Sequence, residues 1–129
     1  MQNHWDYEVR AVRASAVLTG SYVAGTVITT GDRFNQLIIL WSFTKGSLTS
    51  GELKVESSLD GTTYYQETFS SISGVTVTIS LGEHTQTATG NYRIALPIGP
   101  GEKHIKISVK GTGTVTSSLA AVTAILARS

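Results

Sequence analysis

Glu52-Leu53-Lys54-Val55-Glu56-Ser57-Ser58-Leu59-Asp60-Gly61-Thr62-Thr63-Tyr64-Tyr65-Gln66-Glu67-Thr68-Phe69 is the stretch that decides how this chain is read. Its left arm sets Leu53, Val55, Ser57 and Leu59 on one side and Glu52, Lys54, Glu56 and Ser58 on the other, the period-2 pattern of a half-buried strand. Its right arm is aromatic and rich in threonine. Asp60-Gly61 between them predicts a tight hairpin, because glycine adopts positive φ without penalty and aspartate tolerates the left-handed region.

The same signature recurs outward from this hairpin. Tyr7 to Leu18 and Tyr22 to Ile28 read as strands, separated by Gly20, and Thr29 to Asp32 reads as a turn. Asn35 to Phe43 is apolar on both sides: Leu37, Ile39, Trp41 and Phe43 share one face, Ile38 and Leu40 the other. A strand of that kind needs cover on both faces, one from a second sheet and the other from a neighbouring subunit or an N-terminal arm. Val75 to Leu81, Tyr92 to Pro97 and His104 to Lys110 alternate cleanly, whereas Gly82 to Gly90 is polar and predicts a long mobile loop. Thr114 to Ala127 has some helical spacing, but its threonines and the preceding Gly111-Thr112-Gly113 turn favour a strand. Eight or nine strands with frequent turns predict an all-β chain: one antiparallel β-sandwich of jelly-roll type over residues 9–129, with residues 1–8 as a short arm.

Composition narrows the chemistry. At 129 residues the chain suffices for one core, and it has no cysteine, which excludes thiol catalysis, thiolate metal sites and disulfides. Ten basic and nine acidic residues give a net charge of +1, so no global field recruits nucleic acid or an anionic membrane. Lys103, Lys106 and Lys110 read as a solvated strand face. The longest wholly apolar run, Leu37 to Trp41, is five residues, against the ~20 needed for a spanning helix. The N-terminus lacks a basic region followed by an apolar run, which predicts a soluble protein without a classical export signal.

No catalytic constellation emerges. His4, His84 and His104 have no metal-ligand spacing, serine-nucleophile and phosphate-binding glycine motifs are absent, and most of the nine carboxylates fall at solvent-facing or turn positions. The expectation is a non-enzymatic protein without metal or cofactor. A pair of carboxylates converging in a cleft would reopen the enzyme reading. Trp5, Tyr7, Tyr64 and Tyr65 could instead form a sugar-stacking platform, which requires at least two coplanar exposed rings. Trp41 lies on an apolar face and reads as core. Trp5 lies in a polar arm outside any alternation, where an aromatic more often docks into a groove or a partner.

Val55-Glu56-Ser57-Ser58-Leu59-Asp60-Gly61-Thr62-Thr63-Tyr64-Tyr65 resembles the strand, Leu-Asp-Gly-Thr turn and aromatic pair of small β-sandwich structural proteins of tailed bacteriophage virions. Tyr92-Arg93-Ile94, Ile105 to Val109, Gly111-Thr112-Gly113 and Val122 to Leu126 are similar to the closing strands of those proteins. The resemblance covers roughly residues 50 to 127 and implies a head decoration, or cement, protein located on the virion, commonly trimeric, which binds the major capsid protein or another virion protein. A tail, neck or fibre component, or a carbohydrate-binding module, is the alternative. On this reading His4, Trp5 and Tyr7 of the arm, with Ile38 and Leu40, are the docking residues, and no catalytic residue transfers.

Overall fold

The computed structural model describes residues 6–31 and 33–128. His4 and Trp5, and Asp32 of the predicted turn, lie outside the described residues. The described chain is all-β and runs β1 (Asp6–Ala16), β2 (Val23–Ala24), β3 (Ile28–Thr29), β4 (Gln36–Thr44), β5 (Leu48–Ser58), β6 (Tyr65–Gln66), β7 (Thr68–Ser73), β8 (Thr76–Leu81), β9 (Glu83–Gln86), β10 (Gly90–Pro97), β11 (His104–Gly113) and β12 (Leu119–Arg128). Three of these twelve segments are two-residue bridges, so the nine longer strands match the upper expectation.

One sheet has the order β1-β12-β4-β10, and the other places β2 and β3 beside β11, β11 beside β5, and β6 and β9 beside β5. All pairings are antiparallel. With β2 and β3 counted as one broken strand, and β6 and β9 as another, successive strands are dealt between two sheets in the jelly-roll order. The predicted β-sandwich is therefore the fold.

Period-2 alternation fills the space between the sheets. Leu37, Ile39, Trp41 and Phe43 of β4 are buried, and Val122, Ala124 and Leu126 of β12 extend the same layer. Leu53 and Val55 of β5 and Ile105, Ile107 and Val109 of β11 supply the facing layer. Burial of such side chains contributes about 1.5–3 kcal/mol each, and it fixes register, since a one-residue slip would turn each strand inside out. Room for the largest rings is made by absence: a Cβ on Gly51 would lie 2.5 Å from the Phe43 ring, and one on its cross-strand partner Gly111 would lie 2.6 Å from Leu48.

Several expected elements are corrected. Tyr22 to Ile28 is not one strand, because it breaks around Gly25, whose amide donates to the Ile107 carbonyl and whose Cα packs against Val12 so closely that a Cβ would sit 2.5 Å from the Val12 carbonyl oxygen. Residues 6–8, read as arm, belong to β1 and pair with Leu126, Ala127 and Arg128. The predicted loop from Gly82 to Gly90 contains β9, held against Gly51–Lys54 of β5. Leu59, assigned to the inner face, is exposed because β5 ends at Ser58.

The opening hairpin is real but looser than a two-residue turn. Its loop spans residues 59–64, and the Asp60 carboxylate organises it by accepting from the amides of Thr62 (2.8 Å) and Thr63 (2.9 Å) and from the Ser58 hydroxyl (3.0 Å). These donors favour the ionised form and hold the Asp60 carboxyl down at about 2. Gly61, at φ +80°, supplies the left-handed step.

The right arm departs most from expectation. Gln66 pairs with Glu56, the Glu67 amide donates to the Val55 carbonyl, and Lys54 is then paired not by Thr68 but by Glu83. Residues 68–82 thus leave the strand and return to it at adjacent positions, with the Gly82 amide donating to the Glu67 carbonyl at 2.7 Å to close the base. The excursion is the β7–β8 hairpin, a two-stranded sheet of its own that turns at Gly74 and ends in the fully exposed Val75.

Gly51→Ala is expected to lower unfolding free energy by about 1–3 kcal/mol, and adding Phe43→Leu to recover part of that loss. Urea denaturation of both single variants and the double variant checks this; strictly additive losses would show that the ring and the glycine are not coupled.

Candidate interaction surface

The residues between the core positions make the outer face of the β1-β12-β4-β10 sheet. Register aligns them in rows across the strands: Tyr7, Ala127, Gln36 and Pro97; Val9, Ile125, Ile38 and Ala95; Ala11, Thr123, Leu40 and Arg93. Tyr7 is 61% exposed and Val9 60%, while Ile38, Leu40 and Ile125 are half-buried by one another. A shallow concavity of about 520 Å³ lies over Tyr7, Gln36, Ile38, Arg93, Ile125 and Ala127, and a second of about 330 Å³ continues it over Leu40, Ser42, Asn91 and Thr123. Arg93 is the one charged residue in these rows and has no ion-pair partner among the described residues. An apolar stretch of this extent on one open face is the usual mark of an interaction site.

Three expected docking residues, Tyr7, Ile38 and Leu40, are thus brought onto one face. His4 and Trp5 precede the strand that carries Tyr7 and lie outside the described residues. Sequence reading did not single out Val9 or Arg93. Their signal was the pairing of β1 and β10 at opposite edges of the sheet, which no local pattern discloses.

The outer face of the other sheet differs in kind. Lys54 and Lys110 lie over the ring of Tyr22, at 4.6 Å and 4.9 Å from its centroid, and Lys106 lies over Tyr64 at 4.2 Å. Such contacts contribute about 0.5–1 kcal/mol each when partly exposed. The Tyr22 hydroxyl donates to Glu83, and burial, with that carboxylate second, pushes its pKa up. Glu52, expected in solvent, is buried; one of its oxygens accepts from the Ser50 and Thr112 hydroxyls, each at 2.7 Å. Of the lysines expected to be solvated, Lys106 and Lys110 are engaged by the chain's own rings. This face covers itself.

The candidates for sugar stacking are scattered. Trp41 is buried, its ring centroid 5.3 Å from that of Phe43 and 5.8 Å from that of Tyr92. Tyr64 is occupied by Lys106, and the exposed Tyr7 and Tyr65 belong to different sheets. No pair of exposed stacked rings occurs among the described residues.

One pair of carboxyl groups does converge. Glu67 neighbours Glu102, and burial, then the interaction with Glu102, raise the Glu67 carboxyl from 4.5 to about 7. Glu102 also accepts from the Gly99 amide at 2.8 Å. The pair joins the base of the β7–β8 hairpin to the loop between β10 and β11, and no groups of three or more potential metal ligands occur among the described residues. His84 is half-buried in β9, which lowers its pKa.

Neither a protein-family model nor a curated protein matches this chain. Its class is defined by the fold and the open face: a jelly-roll domain with one self-covered sheet and one apolar, charge-poor sheet.

The Glu67–Glu102 pair gives a pH dependence of defined sign. Below about 4.5 Glu67 is protonated in folded and unfolded chains alike; between 4.5 and about 7 only the unfolded chain loses the proton, so stability falls as pH rises through that window. Relative to Glu67→Gln, the melting temperature of the wild type should therefore drop from pH 5 to pH 8. Parallel curves for the two proteins would show that the pair carries no such linkage.

Proposed function

We propose that this chain is a non-enzymatic structural protein of a bacteriophage virion, a head decoration protein that binds the assembled capsid and stabilises it. The observation that carries this reading is the exposed apolar face of Tyr7, Val9, Ile38, Leu40 and Ile125. A soluble domain that leaves such a face open gains by having it covered. The resemblance of residues 50 to 127 to virion β-sandwich proteins supplies the setting, and the jelly-roll order is compatible with it. In this reading copies associate through the open face, with threefold closure favoured because a ring hides such faces. The N-terminal segment, with Trp5 as anchor and His4 beside it, contacts the major capsid protein.

The mechanism is linkage. A protein that binds the closed shell and not its opened form raises shell stability by its binding free energy at every occupied site. Neither a catalytic group nor a cofactor has a part in it.

The test is addition of the purified protein to capsids that lack it, with binding read by co-sedimentation and shell integrity by the temperature at which DNA is released. Binding with a rise in that temperature is expected. Trp5→Ala should weaken capsid binding by about tenfold or more, as loss of an aromatic anchor does, and Leu40→Asp should abolish self-association. A strict monomer that ignores capsids overturns the proposal.

A further inference from the structure

The outer face of the β1-β12-β4-β10 sheet carries a charge that it does not balance. Arg93 lines the concavity of about 520 Å³ together with Tyr7, Gln36, Ile38 and Ile125, and no described side chain forms an ion pair with it. A wholly apolar cover would take that guanidinium out of water without a counter-charge. A second copy laid face against face would do no better, because the rows across this sheet hold no carboxylate and would set one Arg93 on the same acid-free surface as another. The cover has to bring an acid with an apolar neighbour.

The chain presents one such group. Of its nine acidic residues, Asp32 lies outside the described residues and three others are ion-paired. Glu52 is buried, Glu83 accepts from the Tyr22 hydroxyl, and Glu67 and Glu102 neighbour one another. Asp60 remains. It lies in the loop of residues 59–64, directly after Leu59, which is 62% exposed. The Ser58 hydroxyl and the Thr62 and Thr63 amides all donate to its Oδ1, which leaves Oδ2 unengaged among the described residues. Those bonds also fix the loop, so little is left to order when it meets a partner. Lys106 over the Tyr64 ring, and the Lys103 amide on the Ser58 carbonyl, seat the loop on the sheet of β5 and β11. Loop and open face thus belong to opposite sheets, and a contact between them joins two copies.

We propose that the 59–64 loop of one copy docks in the apolar concavity of a second copy, with Leu59 against Ile38 and Ile125 and Asp60 Oδ2 on the Arg93 guanidinium. The contact is heterologous, so each copy gives a loop and receives one, and the set closes as a ring. Its area is on the order of 400 Å² per partner, the range of weak contacts. In a closed ring every copy is held by two of them, which compensates for the small area. This names the occupant of the open face and rests on the proposed association through that face alone.

The absence of cysteine makes the test clean. Thr62→Cys marks the loop, and Ala95→Cys marks the face two residues from Arg93, both at exposed positions. With a short bis-maleimide, a mixture of the two variants should give several-fold more covalent dimer than either variant alone. Arg93→Glu added to the Ala95→Cys chain should return the yield to that of the separate variants. Asp60→Asn added to the Thr62→Cys chain keeps the oxygen that accepts from the loop amides and removes the charge, and it should lower the yield several-fold. A mixture that crosslinks no more than the separate variants, or a yield indifferent to Arg93→Glu, overturns the proposal. Sedimentation of the wild type and of Leu40→Asp, without capsids, reads the association through the open face by itself. Self-association that Leu40→Asp abolishes, without the crosslink, removes the loop as occupant and keeps that association; a monomeric wild type without the crosslink removes both.

Discussion

A strand has two faces, and a two-layer sandwich buries only one of them. In β4 this constraint is felt most strongly, because Leu37, Ile39, Trp41 and Phe43 are buried while Ile38 and Leu40, with the same appetite for burial, point away from the core. The register cannot shift to relieve the conflict, since a slip would merely exchange the two sets. Neighbouring strands inherit the arrangement through pairing: β12 brings Ile125 beside Ile38, and β1 brings Val9 beside Ile125. The open face follows from the core.

The two sheets resolve their outer faces in opposite ways. Over β5 and β11, lysines and glutamates alternate with the core residues, and the loops before β2 and after β5 fold Tyr22 and Tyr64 over them. Charge is thereby neutralised locally, and little is left for a partner to recognise. Over β4 and β12 no loop returns among the described residues, most outward residues are short or apolar, and the surface keeps its hydrophobic free energy unspent. Ion pairs gather instead at the margin, where Arg33 reaches Asp6 at 3.1 Å and Arg10 reaches Glu8 at 2.7 Å. Exposed pairs of this kind contribute only ~0–1 kcal/mol, so they frame the face and do not hold the domain together.

Much of this was legible in the residues themselves. The alternation in β4, β10 and β11 disclosed both the strands and their inner faces, that in β5 most of its inner face, and the two-sidedness of β4 disclosed that one of its faces would need cover from outside the two sheets. Illegible features arose from pairing between distant segments. Glu83 to Gln86 is polar and flanked by glycine, so it reads as a loop, yet the free edge of β5 makes it a strand. Glu52 occupies an outward position by period, yet Ser50 and Thr112 close over it. Tyr22 to Ile28 alternates acceptably but is broken by the approach of Val12 to Gly25. The insertion of residues 68–82 was hidden for a different reason: its own alternation is so regular that it reads as part of the sheet it leaves.

That insertion also determines how the domain bears load. Both ends of the arm enter the sandwich at one point on the edge of β5, where they continue into β6, two residues long, and β9, four residues long. A pull along the arm therefore opens hydrogen bonds one after another, as a zipper does, and does not shear a long ladder all at once. Only an edge strand lies in the path of the force, while β4, β11 and β12 are reached last. Attached through this arm, the domain would yield at its rim and keep its core, a sacrificial joint made of six paired residues.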